Sequence, residues 1–77
     1  MNKTIEAFKD DISKSLKLKE RILLNLIEKT KKEMILNQVE LNFNFEDENI
    51  ELIYYVIDSN YPNVKIDFKQ LRSIIKS

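Results

Sequence analysis

The sequence predicts a mainly α fold: an antiparallel helical hairpin plus a short C-terminal helix, a small three-helix arrangement. Three observations carry this. Apolar residues recur at every third or fourth position through the first half of the chain. Glycine is absent and Pro62 is the one proline, so neither residue interrupts a main helix over residues 16–38. Asp67 and Gln70 have the spacing of a capping box ahead of a terminal helix. The alternative is an α+β arrangement with short strands at 39–45 and 63–67.

Ile5, Phe8, Ile12 and Leu16 lie on one face of a first helix. Leu23, Leu26, Ile27, Thr30 and Met34 repeat the spacing, with Ile22 widening the stripe. Between them SKSLKLK lets the apolar face slip, and Ser13 or Ser15 can cap a new helix there. Residues 1–15 are therefore a separate short helix or a mobile arm, or else one long helix bends near residue 15. The main helix runs over residues 16–38, rich in Lys, Glu, Leu, Ile and Met. Glu28 with Lys31 and Lys32 adds favourable neighbours three and four residues apart.

VELNFNF, residues 39–45, alternates apolar and polar side chains with period two, as a half-buried strand does. A strand needs a partner, and the only other alternating run is VKIDF, residues 64–68, whose end is claimed by the terminal helix. Two short strands make a marginal sheet. The stretch is thus read as an asparagine-rich corner, with Val39 and Leu41 finishing the first helix and Phe43 and Phe45 pinning the loop.

Without glycine, asparagine is the next best residue for left-handed turns. Six of the eight asparagines fall between residues 37 and 63 and mark corners at 42–49 and 59–63. Pro62 pushes Tyr61 away from helical geometry. Between the corners Ile50, Ile53 and Ile57 have helical spacing, with Asp47 as the cap and Glu46 and Glu48 beside it at the positive end. The β-branched and aromatic content of IELIYYVID makes a buried strand the competitor. The final helix covers Phe68–Lys76, with Ile66 and Leu71 at the staple positions and Leu71, Ile74 and Ile75 buried.

The runs LLNLIEKTKKEMILNQ, FNF and EDENIELIYYVI resemble the YaaL-like family, small proteins of Gram-positive bacteria with no assigned function. Lys31-Lys32-Glu33, Phe43-Asn44-Phe45, Leu52-Ile53-Tyr54-Tyr55 and Phe68 with Leu71 stand at the matching places, over roughly residues 16–76. Asn60-Tyr61-Pro62-Asn63 departs from the family's unbroken second helix. The resemblance implies a helix over residues 50–57 and brings no catalytic residue with it.

Seventy-seven residues make one small domain, residues 1–77, that buries only about 60% of its unfolded surface. Cysteine and histidine are both absent, which removes disulfides, thiolate metal sites and the usual neutral-pH base. Extra stability then comes from close packing or self-association. The charged start MNKTIEAFKDD lacks the apolar stretch of a signal peptide, and no apolar run approaches a membrane span. A cytoplasmic location is expected.

The zero net charge hides blocks. Residues 1–33 hold nine basic and six acidic side chains, residues 34–63 hold six acidic and no basic ones, and the last fourteen hold four basic against Asp67. These are read chiefly as solvated faces.

Chemistry has little to work with, so no enzyme, cofactor or metal is expected. Gly-rich phosphate loops cannot form without glycine. Asp47, Asn49, Glu51 and Asp58 fall at calcium-loop spacings, but Leu52 holds the position that needs glycine. The expected function is a protein-interaction module, a regulator, adaptor or inhibitor, with another protein or its own second copy as partner. The residues expected to dock are Ile22, Leu23, Leu26, Ile27, Tyr54, Tyr55 and Tyr61. The alternative is nucleic-acid binding by Lys14, Lys17, Lys19, Arg21, Lys29, Lys31 and Lys32, weakened by their scatter around the helix and their acidic neighbours.

Overall fold

The first helix, α1, spans Lys3–Ser13 and opens where the Asn2 side chain accepts from the N–H groups of Thr4 (2.9 Å) and Ile5 (3.1 Å). The structure, a computed structural model, describes residues 2–77. A break follows near residue 15, and Ser15 rather than Ser13 caps the second helix, α2 (Leu16–Glu28), accepting from the Leu18 N–H at 3.1 Å.

Here the structure departs from the sequence reading. α2 stops at Glu28 and does not continue to residue 38, because Lys29 turns left-handed with φ 55°. Four strands follow: β1 (Glu33–Ile35), β2 (Val39–Asn44), β3 (Asn49–Tyr54) and β4 (Val64–Asp67), then the helix α3 (Phe68–Lys76). All strand pairs are antiparallel and the sheet order is β1-β2-β3-β4. The fold is α+β, with three helices against one face of a four-stranded sheet, not a mainly α helical hairpin with a third helix.

The physical reason lies in pairing. VELNFNF is a strand after all, and its partner is IELIYY rather than VKIDF: Val39 faces Tyr54, Leu41 faces Leu52 and Phe43 faces Ile50. The objection that two strands are too few lapses, since β2 and β3 are both interior strands covered by helices. Residues 50–57, expected as a helix, place Ile50 and Leu52 in the core while Ile53 points to the other face. Strands at 39–45 and 63–67, the alternative, correspond to β2 and β4, which are separated by β3.

The corners also differ. Left-handed backbone falls on Lys29 and Glu48, both at φ 55°, not on asparagine. Asp47 caps no helix; it sits in the β2–β3 turn, donating its N–H to Asn44 Oδ1 (3.0 Å) and accepting at Oδ2 from Asn44 Nδ2 (3.1 Å). At α3 the cap and staple hold: the Asp67 carboxylate accepts from the Gln70 N–H at 2.7 Å, and Ile66 and Leu71 are both buried, as is Ile75, whereas Ile74 is half-buried.

One core joins the two layers. Phe8 and Ile12 of α1, Ile22 and Leu26 of α2 and Leu71 and Ile75 of α3 meet Leu41, Ile50 and Leu52 of the sheet. Each such side chain contributes about 1.5–3 kcal/mol by leaving water. Phe43, Phe45 and Phe68 extend it as a ring cluster with centroids 5.7–6.4 Å apart. Residues 2–15 are no mobile arm. Phe8 is fully buried, the Thr4 hydroxyl donates to the Pro62 carbonyl at 2.6 Å, and Asp11 holds the β1–β2 hairpin. Asp11 Oδ2 accepts from the N–H groups of Gln38 (2.7 Å) and Val39 (3.2 Å), and Oδ1 accepts from Gln38 Nε2 (3.0 Å).

Candidate interaction surface

The sheet turns Met34, Val39, Leu41, Phe43, Ile50, Leu52 and Ile66 toward the helices. The opposite face is open and carries Glu33, Glu40, Glu51 and Asp67 with Lys65, which is the only basic residue in the four strands. Glu51 stands directly opposite Lys65, and Asn42, Asn44 and Asn49 occupy the positions between. Every other basic side chain belongs to the helices or connections, so the molecule has an acidic sheet face and a basic helical layer.

The ladder phase determines which main-chain groups of β1 remain open. Phe43 N–H donates to the Lys32 carbonyl (2.7 Å) and Leu36 N–H to the Val39 carbonyl (2.8 Å), so Lys32, Met34 and Leu36 bond toward β2. Lys31, Glu33 and Ile35 then aim their N–H and C=O groups outward. At Lys31 these are taken by the buried Asn25 of α2, whose Oδ1 accepts the Lys31 N–H (2.9 Å) while Nδ2 donates to the Lys31 carbonyl (3.0 Å). Among the described residues nothing pairs with the outward groups of Glu33 and Ile35.

The residues expected to dock are divided by the fold. Ile22 and Leu26 are core side chains and Leu23 is half-buried, whereas Ile27 stands in solvent. The tyrosines lie together elsewhere, at the end of β3: Tyr54 and Tyr61 stack with centroids 3.8 Å apart, and Tyr55 meets Tyr54 edge-on at 4.8 Å. Tyr54 and Tyr61 are half-buried, and only Tyr55 is exposed. Lys3 Nζ lies 5.9 Å from the Tyr61 ring centroid. Partial burial, then the neighbouring Tyr55 and Tyr61 phenols, push the Tyr54 hydroxyl up to about 12.

Leu24 and Ile35 are exposed apolar residues that sequence reasoning passed over, and Leu16, expected on the apolar face of the first helix, instead opens α2 and stands in solvent. For α2 the signal was present. Around a helix, Leu16, Leu24 and Ile27 fall on a different side from Ile22, Asn25 and Leu26, so the segment carries two apolar faces. Ile35 gave none, since its exposure follows from which way β1 faces.

Of the basic residues, Lys14, Lys17 and Arg21 border an open depression of about 430 Å³ together with Asp10 and Asp11. Its mixed charge gives no one-signed field for a phosphate backbone. Among the described residues no helix is long and apolar enough to cross a membrane. No family model matches the chain, and neither a curated protein nor a solved structure matches it.

Proposed function

We propose that the protein is a small, non-enzymatic interaction module of the cytoplasm, docking apolar surface against another protein or a second copy of itself. One observation carries this reading: large apolar side chains are left in solvent on α2 and the adjoining edge strand. Leu16, Leu24 and Ile27 are 71, 50 and 76% exposed and Ile35 is 77% exposed. Leu16, Leu24 and Ile27 share one side of α2, while Ile35 lies on the open face of the sheet. Apolar groups gathered as on α2 mark interaction sites more often than singly scattered ones do. The unlike charges of the sheet face and the helical layer add orientation to an encounter with a partner.

The test is the double variant Leu24→Glu with Ile27→Glu. Neither side chain belongs to the core, so thermal unfolding is expected to stay unchanged. A tagged wild-type chain is expected to retain bound protein from its native cells that the double variant loses. Identical co-purification from both would overturn the reading.

A further inference from the structure

We propose that the partner is a second copy of this chain, joined edge to edge through β1 in an antiparallel pair centred on Met34. This rests on the interaction reading above and names its occupant. The result is one eight-stranded sheet with both helical layers on the same side.

The register follows from the main chain. Across a two-fold axis, residue i stands opposite j and j opposite i. Outward-facing residues must meet outward-facing residues for their hydrogen bonds to close. Glu33 and Ile35 have open groups, while Lys31 is occupied by Asn25. Centring on Met34 sets Glu33 against Ile35 of the second copy and Ile35 against its Glu33. Every open donor and acceptor of both residues is then used and Asn25 is undisturbed. Centring on Glu33 would oppose two carboxylates and require Lys31.

The other edge of the sheet is guarded. The Phe68 N–H donates to the Glu48 carbonyl (3.0 Å), which fixes Lys65 and Asp67 as the outward residues of β4, Asp67 being also the cap of α3. A lysine at such a position discourages strand addition, and the chain passes at once into α3.

A three-residue strand buries far less than the roughly 1,200 Å² of a stable interface, so the helices must contribute. Arg21, Leu24 and Glu28 form the flank of α2 alongside β1, bordering a cleft of about 110 Å³ with Lys31 and Met34. The same two-fold axis sets the two α2 helices antiparallel. Leu24 then lies between reciprocal pairs, Arg21 of each copy beside Glu28 of the other.

Sedimentation velocity on the full chain in the micromolar range tests this. The wild type is expected to be a dimer. Ile35→Pro removes only an outward N–H and is expected to give a monomer with unchanged circular dichroism. Charge reversal is independent of any disturbance by proline. Arg21→Glu or Glu28→Arg alone should weaken dimerisation several-fold, and the two together should restore it. A strictly monomeric wild type, or a dimer indifferent to Ile35→Pro and to both reversals, overturns the proposal. Single reversals that weaken without mutual rescue overturn the helix pairing. None of these results touches the interaction reading, which falls only if the Leu24→Glu, Ile27→Glu variant keeps the wild type's bound proteins.

Discussion

Asn25 serves Lys31 as a strand neighbour would, taking its N–H at 2.9 Å and giving a proton to its carbonyl at 3.0 Å. A side-chain amide thus ends the free edge of β1 at a defined residue. Asn25→Ala strips both partners from the Lys31 main chain and leaves a gap at a site only 4% exposed. The expected loss is about 1–3 kcal/mol. Urea unfolding checks it, with a lower midpoint at unchanged slope.

Asp11 ties α1 to the β1–β2 hairpin through three hydrogen bonds to Gln38 and Val39. Bonds to a charged acceptor are each worth about 1.5–3 kcal/mol, and three on one carboxylate do not add fully. Asp11→Ala is expected to cost about 2–4 kcal/mol on that basis. Hydrogen exchange gives a local readout, since the Gln38 and Val39 amides should lose protection ahead of the β2–β3 ladder.

Lys29 and Glu48 both hold φ 55° without being glycine. A side chain with a Cβ costs about 1 kcal/mol in this region. Lys29→Gly and Glu48→Gly are each expected to stabilise the fold by up to about 1 kcal/mol, less the entropy that glycine returns to the unfolded chain. For a chain of this size that is a rise of up to about 4–8 °C in thermal midpoint. Alanine at either position should give no such gain.

The Tyr54 hydroxyl is raised from 10.0 to about 12 in the folded state. Below pH 10 both states keep the proton and the group exerts no pH dependence. Between pH 10 and about 12 the unfolded chain releases it while the folded chain does not, so stability falls as pH rises through this window. Tyrosinate absorbance should show a late-titrating step from Tyr54 in the folded chain. Tyr54→Phe should abolish that step and flatten the alkaline loss of stability.

Local signals were legible and pairing was not. The break near residue 15 and the Asp67 cap are written in single side chains that bond to nearby main chain, so sequence alone located the Asp67 cap and narrowed the break to Ser13 or Ser15. β1 was hidden because Leu26, Thr30 and Met34 continue a helical spacing and the stop at Lys29 uses no glycine. β3 was hidden because Ile53 on the open face breaks the period-two alternation that β2 displays. A strand is defined by its neighbour, and the identity of that neighbour is a tertiary fact. The docking residues fared likewise: Ile22 and Ile27 look alike in sequence, yet one is fully buried and the other is in solvent.

The chain visits its strands in the order in which they lie side by side. Each hairpin can therefore zip from its own turn, without a search for distant segments, and such local topologies reach their final shape quickly. The leading helix is held from afar by Thr4 with Pro62, by Asp11 with the Gln38 corner, and by Phe8 and Ile12 in the core. If the leading helix docks onto an already formed meander, those links form late, and damage to them should hasten unravelling more than it delays assembly.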